Sequence, residues 1–172
     1  VAERSDDPRL RVRVRELRAK IQRRSVFRRL MELAECENPD LETGTLLLAS
    51  THTPALDHSL TTQKLDAFAS QLRPAIEAAM TPSERLTSFL NGVHTELGFA
   101  GAQSDFYNYD NHFLHTVLER KRGIPISLIL VYILLGRRLG LDFRAVGAPQ
   151  RALAFFVDGG FSTYIDAFDG GR

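Results

Sequence analysis

The sequence predicts an α+β fold in which a lobe of helices packs on a small antiparallel sheet. Two patterns indicate this class: apolar residues recur at helical spacing as far as Gly140, and three short β-rich runs follow. With 172 residues, 44% of them hydrophobic and 25% charged, the chain is long enough for one globular domain with its own core. We expect a basic helical extension over residues 1–37 and the domain over 38–172, with helices in 40–140 and strands in 142–166.

The first predicted helix starts at Asp6-Asp7-Pro8, an acidic cap followed by proline in the first turn. Its apolar positions recur at helical spacing; they are Leu10, Val14, Leu17, Ile21, Phe27, Leu30, Met31 and Ala34. Asn38-Pro39-Asp40 ends this helix and caps a second one, which runs through residues 46–48. Thr53-Pro54 marks a loop, and residues 60–80 form a third helical region that contains Pro74.

Thr81-Pro82-Ser83-Glu84 predicts the start of the fourth helix, because it combines an N-cap, proline at the first position and a capping box. We expect this helix to end at Gly98 and a loop to follow over 99–110. Two further helices are predicted, over residues 111–120 and 125–139, and Gly140 closes the second of them.

After Gly140 the pattern changes to three β-rich runs, at 143–146, 153–157 and 161–165. Asp158-Gly159-Gly160 separates the last two and is typical of a tight hairpin turn. The runs are therefore predicted to form an antiparallel sheet.

Charge is distributed unevenly along the chain. Residues 1–29 hold eleven Arg and Lys against four Asp and Glu, whereas the rest holds eleven against seventeen. A basic helix over residues 9–29 is compatible with binding nucleic acid or an acidic partner, with packing on the protein's own acidic body, or with a solvated helix face. Nucleic acid ranks last, because the segment lacks interleaved aromatic residues.

The single cysteine, Cys36, excludes an internal disulfide and a multi-cysteine metal site. No apolar run reaches the roughly 20 residues that span a bilayer; the longest, Ile124 to Leu135, reads as a buried helix. We expect a cytoplasmic protein without membrane partners, or one in an organelle after removal of a targeting peptide.

The turn before the last helix, Gly123-Ile124-Pro125, occupies a place where many enzymes hold a nucleophile. The first N–H groups and the dipole of a buried helix favour negative charge at its start. Here the position carries Pro125, which has no reactive group.

Several blocks of the sequence resemble the SirB family of bacterial transglutaminase-like proteins over roughly residues 40–171. The specific blocks are Leu97-Gly98-Phe99, Phe106-Tyr107-Asn108-Tyr109-Asp110, Asn111-His112-Phe113-Leu114, Val117-Leu118-Glu119-Arg120, Gly123-Ile124-Pro125-Ile126-Ser127-Leu128, Arg137-Arg138-Leu139-Gly140-Leu141 and Ile165-Asp166-Ala167-Phe168-Asp169-Gly170-Gly171. The resemblance implies a transglutaminase-like, papain-like fold. Since relatives often continue with helical repeats, it also implies a natural chain that extends past Arg172.

The resemblance does not carry catalytic activity over. The superfamily's cysteine corresponds to Pro125, its histidine to Arg151 in the run Pro149-Gln150-Arg151-Ala152, and only the acid, Asp166, matches. We therefore expect a non-catalytic module without cofactor or metal, which binds a protein partner as a regulator or substrate adaptor. Arg151 is expected to pair with Asp166 in place of a His–Asp pair.

Other residues offer alternatives. Ser127 could act as the nucleophile of a cysteine-independent hydrolase or transferase, but no histidine follows His115 to serve as its base. His112 and His115, with Asp110, could begin a metal site but lack a third strong ligand. Cys36 lies among glutamates, which disfavour a reactive thiolate. The residues around the turn either satisfy loop backbone groups or contact a ligand; they are Tyr107, Tyr109, Asn111 and Arg122.

Overall fold

The computed structural model describes residues 7–149 and 151–172, so Asp6 of the first cap, the start of the predicted extension and Gln150 lie outside the described residues. The chain forms two compact units, which meet between Leu56 and Asp57. This division lies further along the chain than the predicted start of the homologous domain at residue 38, which stays a prediction.

The first unit is a pair of helices, α1 (Pro8–Ala34) and α2 (Leu41–His52). Each begins at an aspartate whose carboxylate accepts a backbone N–H: Asp7 from Arg9 at 2.9 Å, and Asp40 from Thr43 at 2.7 Å. The structure therefore confirms the predicted start of each of these two helices.

The second unit contains four helices and a three-stranded sheet. The helices are α3 (His58–Ala78), α4 (Pro82–Asn91), α5 (Leu114–Arg120) and α6 (Pro125–Leu139). The predicted capping box at α4 is present, since Thr81 and Glu84 each accept the other's backbone N–H at 3.2 Å. Pro74 lies within α3.

Helix α6 is the centre of the core. Six large side chains on it are fully or almost fully buried: Leu128, Ile129, Val131, Tyr132, Leu134 and Leu135. The helix ends where predicted, at Gly140, which adopts φ +72° and so uses the left-handed region that favours glycine.

The sheet has the antiparallel order β3-β4-β5, with β3 at Asp142–Ala148, β4 at Arg151–Asp158 and β5 at Phe161–Ile165. Strands β3 and β4 pack on α6, where Phe143 and Phe156 are buried and their ring centroids lie 5.0 Å apart. The α+β class and the three strands were thus predicted correctly.

Three local features were not predicted. After Asn91 the helix widens into a π-helical turn over Gly92–Glu96, in which the Leu97 N–H donates to the Gly92 carbonyl at 2.8 Å. The segment predicted as a loop, residues 99–110, contains strand β1 (Ala100–Gly101), which pairs in parallel with β2 (Arg122–Gly123). The predicted helix at residue 111 begins only at Leu114, after a 3₁₀ turn over Tyr109–His112.

Among the described residues, no helix is both long and apolar enough to cross a membrane.

Candidate functional site

The position predicted to replace the nucleophile, Pro125, is the first residue of α6. No side chain caps this end, because the preceding residue is Ile124. Proline lacks an N–H, so it removes one of the donors that a helix start offers to an anion. The helix start is present at this place and is half-buried at Pro125, but this first residue provides neither a nucleophile nor a donor.

Arg151 begins β4 and Asp166 follows β5, and their side chains form an ion pair of 3.8 Å between Nη1 and Oδ2. The Arg151 side chain is 65% exposed, whereas that of Asp166 is 22% exposed. The other carboxylate oxygen, Oδ1, accepts the N–H groups of Phe168 at 3.0 Å and Asp169 at 3.2 Å. Asp166 therefore holds the turn that follows the sheet, in addition to pairing with arginine.

A glycine contact brings the start of α6 and the end of the sheet to the same region. Gly123, two residues before Pro125, accepts the Ala102 N–H at 3.0 Å. The adjacent Gly101 lies so close to Phe168 that a Cβ there would be 2.6 Å from the Phe168 carbonyl oxygen. The loop after β5 is thus packed directly on the β1–β2 pair, as close backbone approach requires glycine.

Ser127, the alternative nucleophile, lies in the first turn of α6 and is almost fully buried. Its hydroxyl donates to the Ile124 carbonyl at 3.0 Å, a local bond within its own helix. The side chain also packs against Gly123, where an added Cβ would approach Oγ to 2.5 Å. In this arrangement the hydroxyl is hydrogen-bonded to the backbone and is shielded from solvent.

Asn111 is fully buried and orders the loop beside the site. Its Nδ2 donates to the Asp105 carbonyl at 2.7 Å, and its Oδ1 accepts from Arg120 Nη1 at 3.1 Å. Arg120 also pairs with the Asp105 carboxylate, and this hydrogen bond holds the pKa of Asp105 below its usual value. Asn111 therefore binds the backbone of this loop.

Tyr107 is 94% exposed, and its ring contacts that of Phe106, whose ring in turn contacts Phe168. Arg122 is exposed as well; its Nη1 donates to the carbonyls of Gly98 at 3.0 Å and Lys121 at 2.9 Å. Of the two, Arg122 has a defined backbone-binding role, whereas the Tyr107 ring is open to solvent.

An open cleft of about 570 Å³ lies between the β1–β2 region and the C-terminal loop. Its lining includes charged residues of both signs: Asp105, Arg122, Asp169 and Arg172. Arg172 and Asp169 are 3.8 Å apart. The cleft is therefore a polar surface depression beside the Arg151–Asp166 pair, not a dry apolar pocket.

A partly buried hydrogen-bond chain through His94 was missed by sequence analysis. His94, in the π-helical turn, contacts the Phe99 carbonyl through Nδ1 at 2.8 Å and the Tyr132 hydroxyl through Nε2. Since a carbonyl only accepts, Nδ1 carries the proton in the neutral ring and the tyrosine donates to Nε2. Burial lowers the pKa of His94; burial, and secondly the charge of Asp166, raise that of Tyr132.

Lys121 was also missed. It ends α5 in the left-handed conformation, with φ +57°, and its Nζ lies 3.3 Å from the ring centroid of Phe68 and 4.3 Å from that of Phe99. Burial, and then the charge of Lys64, lower the pKa of Lys121 to about 8. No described residue accepts a hydrogen bond from this ammonium group.

The remaining candidates are not assembled into a site. His112 is exposed and its ring lies against Tyr109, with 5.9 Å between centroids. Cys36 is exposed, and its Sγ lies 3.4 Å from the Glu32 carbonyl oxygen. Within residues 7–149 and 151–172, no group of three or more His, Cys, Asp or Glu side chains is placed to hold a metal ion, so His112 and His115 have no third ligand there.

Comparison with known proteins identifies the family. The model of the transglutaminase-like superfamily matches residues 60–172, and the chain belongs to this superfamily. It is 31% identical over 137 residues to a UPF0162 protein of Xylella fastidiosa, covering 79% of this chain and 48% of the relative. A UPF0162 protein of Vibrio cholerae is 32% identical over 87 residues, which cover 50% of this chain and 32% of the relative.

F-box only protein 21 of Mus musculus is 36% identical over 77 residues, which are 45% of this chain and 12% of that protein. The chain thus spans about half the length, or less, of these curated relatives. No solved structure matches it. The resemblance predicted from the sequence blocks is confirmed.

Proposed function

We propose that this protein is a non-catalytic transglutaminase-like module that binds a protein partner at the end of the fold where an active site would lie. The observation that carries the proposal is the Arg151–Asp166 ion pair at 3.8 Å. It stands where the resemblance places a histidine base and its orienting acid. An arginine does not act as a base at neutral pH, because its guanidinium stays protonated.

The nucleophile side of the site supports the same conclusion. Pro125 offers no attacking group, and the Ser127 hydroxyl is buried and bonded to its own helix. A serine nucleophile also needs a base within hydrogen-bond reach, about 2.6–3.2 Å. His94, which is half-buried, has both ring nitrogens engaged by Phe99 and Tyr132.

The exposed groups around this region are suited to binding a protein. Tyr107 presents an almost fully exposed ring, and Arg151 an exposed guanidinium. Tyrosine and arginine are enriched at protein interfaces, because each combines a large flat contact area with hydrogen-bonding groups. The neighbouring cleft adds charged residues of both signs.

The comparisons are consistent with a module that functions inside larger proteins. The matched segment is a small part of F-box only protein 21 and about half of the Xylella fastidiosa relative. A regulatory or substrate-adapting role would use such a module to bring one protein to another. The single cysteine suits the reducing cytoplasm that we propose as its location.

The test is a quantitative pull-down from native lysate with three tagged proteins: wild type, Arg151→Ala and Arg144→Ala. Arg144 is the matched control, because it lies on β3 of the same sheet, is 64% exposed and forms its own ion pair with Asp142 at 2.6 Å. We expect a partner that is retained by wild type and Arg144→Ala and lost with Arg151→Ala. Equal capture by all three, or no specific partner with any, would contradict binding at this site.

A further inference from the structure

The N-terminal half of α1 carries a row of four apolar side chains, of which three are exposed and one is half-buried. The row, which we call the α1 seam, consists of Leu10, Val14, Leu17 and Ile21. Leu17 is 49% exposed and Ile21 68% exposed, and Leu10 is exposed as well. Val14, between them, is half-buried. Apolar residues in line on one helix mark an interaction site more often than scattered apolar residues do.

The spacing of the α1 seam is that of a coiled coil. Its residues are separated by four, three and four positions, so they fill the alternating d and a positions of two heptads. A strip limited to these two positions is narrower than the apolar face with which a helix packs on a globular core. The seam therefore fits the edge of one partner helix.

Helix α2 does not reach along the whole of α1. At about 1.5 Å per residue, the 27 residues of α1 extend roughly 40 Å, whereas the 12 residues of α2 extend roughly 18 Å. The contact between the two helices involves the C-terminal part of α1; Leu33, for example, lies against Gly44. The segment after α2 reaches α1 at Gln22, whose Nε2 donates to the Pro54 carbonyl. Within the first unit, Leu10, Val14 and Leu17 thus lie on the N-terminal side of this contact, and Ile21 lies beside it.

The charges beside the α1 seam specify the partner. The flanking e and g positions are occupied only by basic residues, namely Arg11, Arg13, Arg18 and Lys20. Arg13 has a loose ion pair with Glu16 at 3.9 Å, but both side chains are well exposed and such pairs are weak. Two copies of this helix would place like charges opposite each other in either orientation, which disfavours self-association.

A bilayer and a nucleic acid fit the seam less well. A helix that lies on a membrane presents a broad apolar face, commonly with aromatic residues, whereas this seam is narrow and bordered closely by arginines. Phosphate binding would use the charges but would leave the apolar row in water.

We infer that the α1 seam binds an amphipathic α-helix of another protein, whose own apolar a and d positions are flanked by acidic residues. The two seams would interlock, and the basic e and g residues of α1 would face glutamates or aspartates. This inference does not depend on the catalytic inactivity of the second unit. Since only two heptads are available, we expect a micromolar complex that weakens as salt is added.

The test uses the full chain and a designed, fluorescein-labelled peptide of four heptads, with leucine at a and d and glutamate at e and g. Binding is followed by fluorescence anisotropy at low and high salt. Two companion peptides complete the set: one with lysine in place of the glutamates, and one with serine in place of the leucines. We expect the acidic leucine peptide to bind at least about ten times more tightly than either companion.

Two variants locate the binding on the helix. Leu17→Asp places a charge within the seam, whereas Val12→Asp places the same charge on the opposite face, at a residue that is 58% exposed. We expect Leu17→Asp to weaken binding at least about tenfold and Val12→Asp to weaken it less than about threefold, with unchanged helix content by circular dichroism.

Four results would overturn the inference: no binding of the acidic leucine peptide, equal binding of the serine peptide, equal effects of the two variants, or saturable binding of DNA or anionic vesicles in preference to the peptide. None of these bears on the pull-down with Arg151→Ala, so failure here and failure of the proposed function are separate results.

Discussion

Replacing Asn111 with alanine tests whether the buried polar residues beside the site serve structure. The side chain gives up a hydrogen bond of 2.7 Å to the Asp105 carbonyl and one of 3.1 Å from the Arg120 guanidinium. A neutral buried bond contributes about 1 kcal/mol and one to a charged group about 1.5–3 kcal/mol. We therefore expect a loss of about 2–4 kcal/mol, which corresponds to a decrease in Tm of roughly 5–15 °C for a protein of this size.

The assay combines thermal unfolding with amide hydrogen exchange. Asn108→Ala is the matched control, because Asn108 lies in the same loop but is exposed. Its bonds are local: Oδ1 accepts the Asp110 N–H at 3.0 Å, and Nδ2 donates to the Asp105 carboxylate at 3.3 Å. That variant is expected to lose about 1 kcal/mol or less. In Asn111→Ala, exchange should accelerate over residues 103–110 and stay unchanged in α3. A loss below about 0.5 kcal/mol with unchanged exchange would refute the structural role of Asn111.

Three further predictions follow from contacts elsewhere in the second unit. Burial lowers the pKa of His94 in the folded state, so the stability contributed by its neutral form should be fully present above about pH 6.5 and be lost as the pH falls below that value. In a His94→Gln variant, the free energy of unfolding measured in urea should therefore depend less on pH between about 7 and 5. The same pH dependence in wild type and variant would contradict this. Gly136→Ala should lower the free energy of unfolding in urea by about 1–3 kcal/mol, because its Cβ would be 2.6 Å from a Phe143 ring carbon. The control is Gly147→Ala, whose Cβ would meet nothing within 4 Å and which should change stability by less than about 0.5 kcal/mol. Equal effects of the two variants would contradict the packing of Gly136 on Phe143. A thiol introduced as Pro125→Cys should have a pKa below the usual value of about 8.5, because it would lie at the start of α6. The pKa is measured from the pH dependence of iodoacetamide alkylation. A value at or above about 8.5 would contradict that placement.

The parts of the fold that were predicted correctly depend on local signals. Thr81 and Glu84 form a capping box that needs only neighbouring residues, and Gly140 ends α6 because the chain there must enter the left-handed region. The hairpin at Gly159 is local in the same sense, with φ +57°. These signals act within a few residues, so a single sequence is enough to read them.

The parts that were missed depend on contacts between distant segments. β1 and β2 are strands of two residues each, held by a pairing across more than 20 positions, and neither has a period to detect. The bond between His94 and Tyr132 joins residues 38 positions apart, and it accompanies a π-helical turn that helical periodicity does not distinguish from the α-helix before it. The periodicity of a short stretch of sequence carries no information about contacts between such distant residues.

The Asp166 carboxylate has a structural role at the end of the sheet. Its carboxylate accepts two backbone N–H groups of the turn after β5, and this structural role does not require a histidine. Arg151 then serves as the counter-charge on the remaining oxygen. The resemblance predicted that Asp166 matches the acid of the superfamily and that Arg151 replaces its histidine. The hydrogen bonds by which Asp166 holds the turn are known only from the structure.

The most direct test of the central claim is an activity measurement on the unmodified protein. Wild type and Ser127→Ala are incubated with a glutamine-containing peptide, with and without a primary amine, and ammonia release and peptide mass are followed over a day. We predict that both proteins stay at the rate of a protein-free control, because neither Pro125 nor the bonded Ser127 hydroxyl can attack the amide. Turnover by wild type above the control rate would contradict the non-catalytic proposal, and its loss in Ser127→Ala would assign the activity to that hydroxyl.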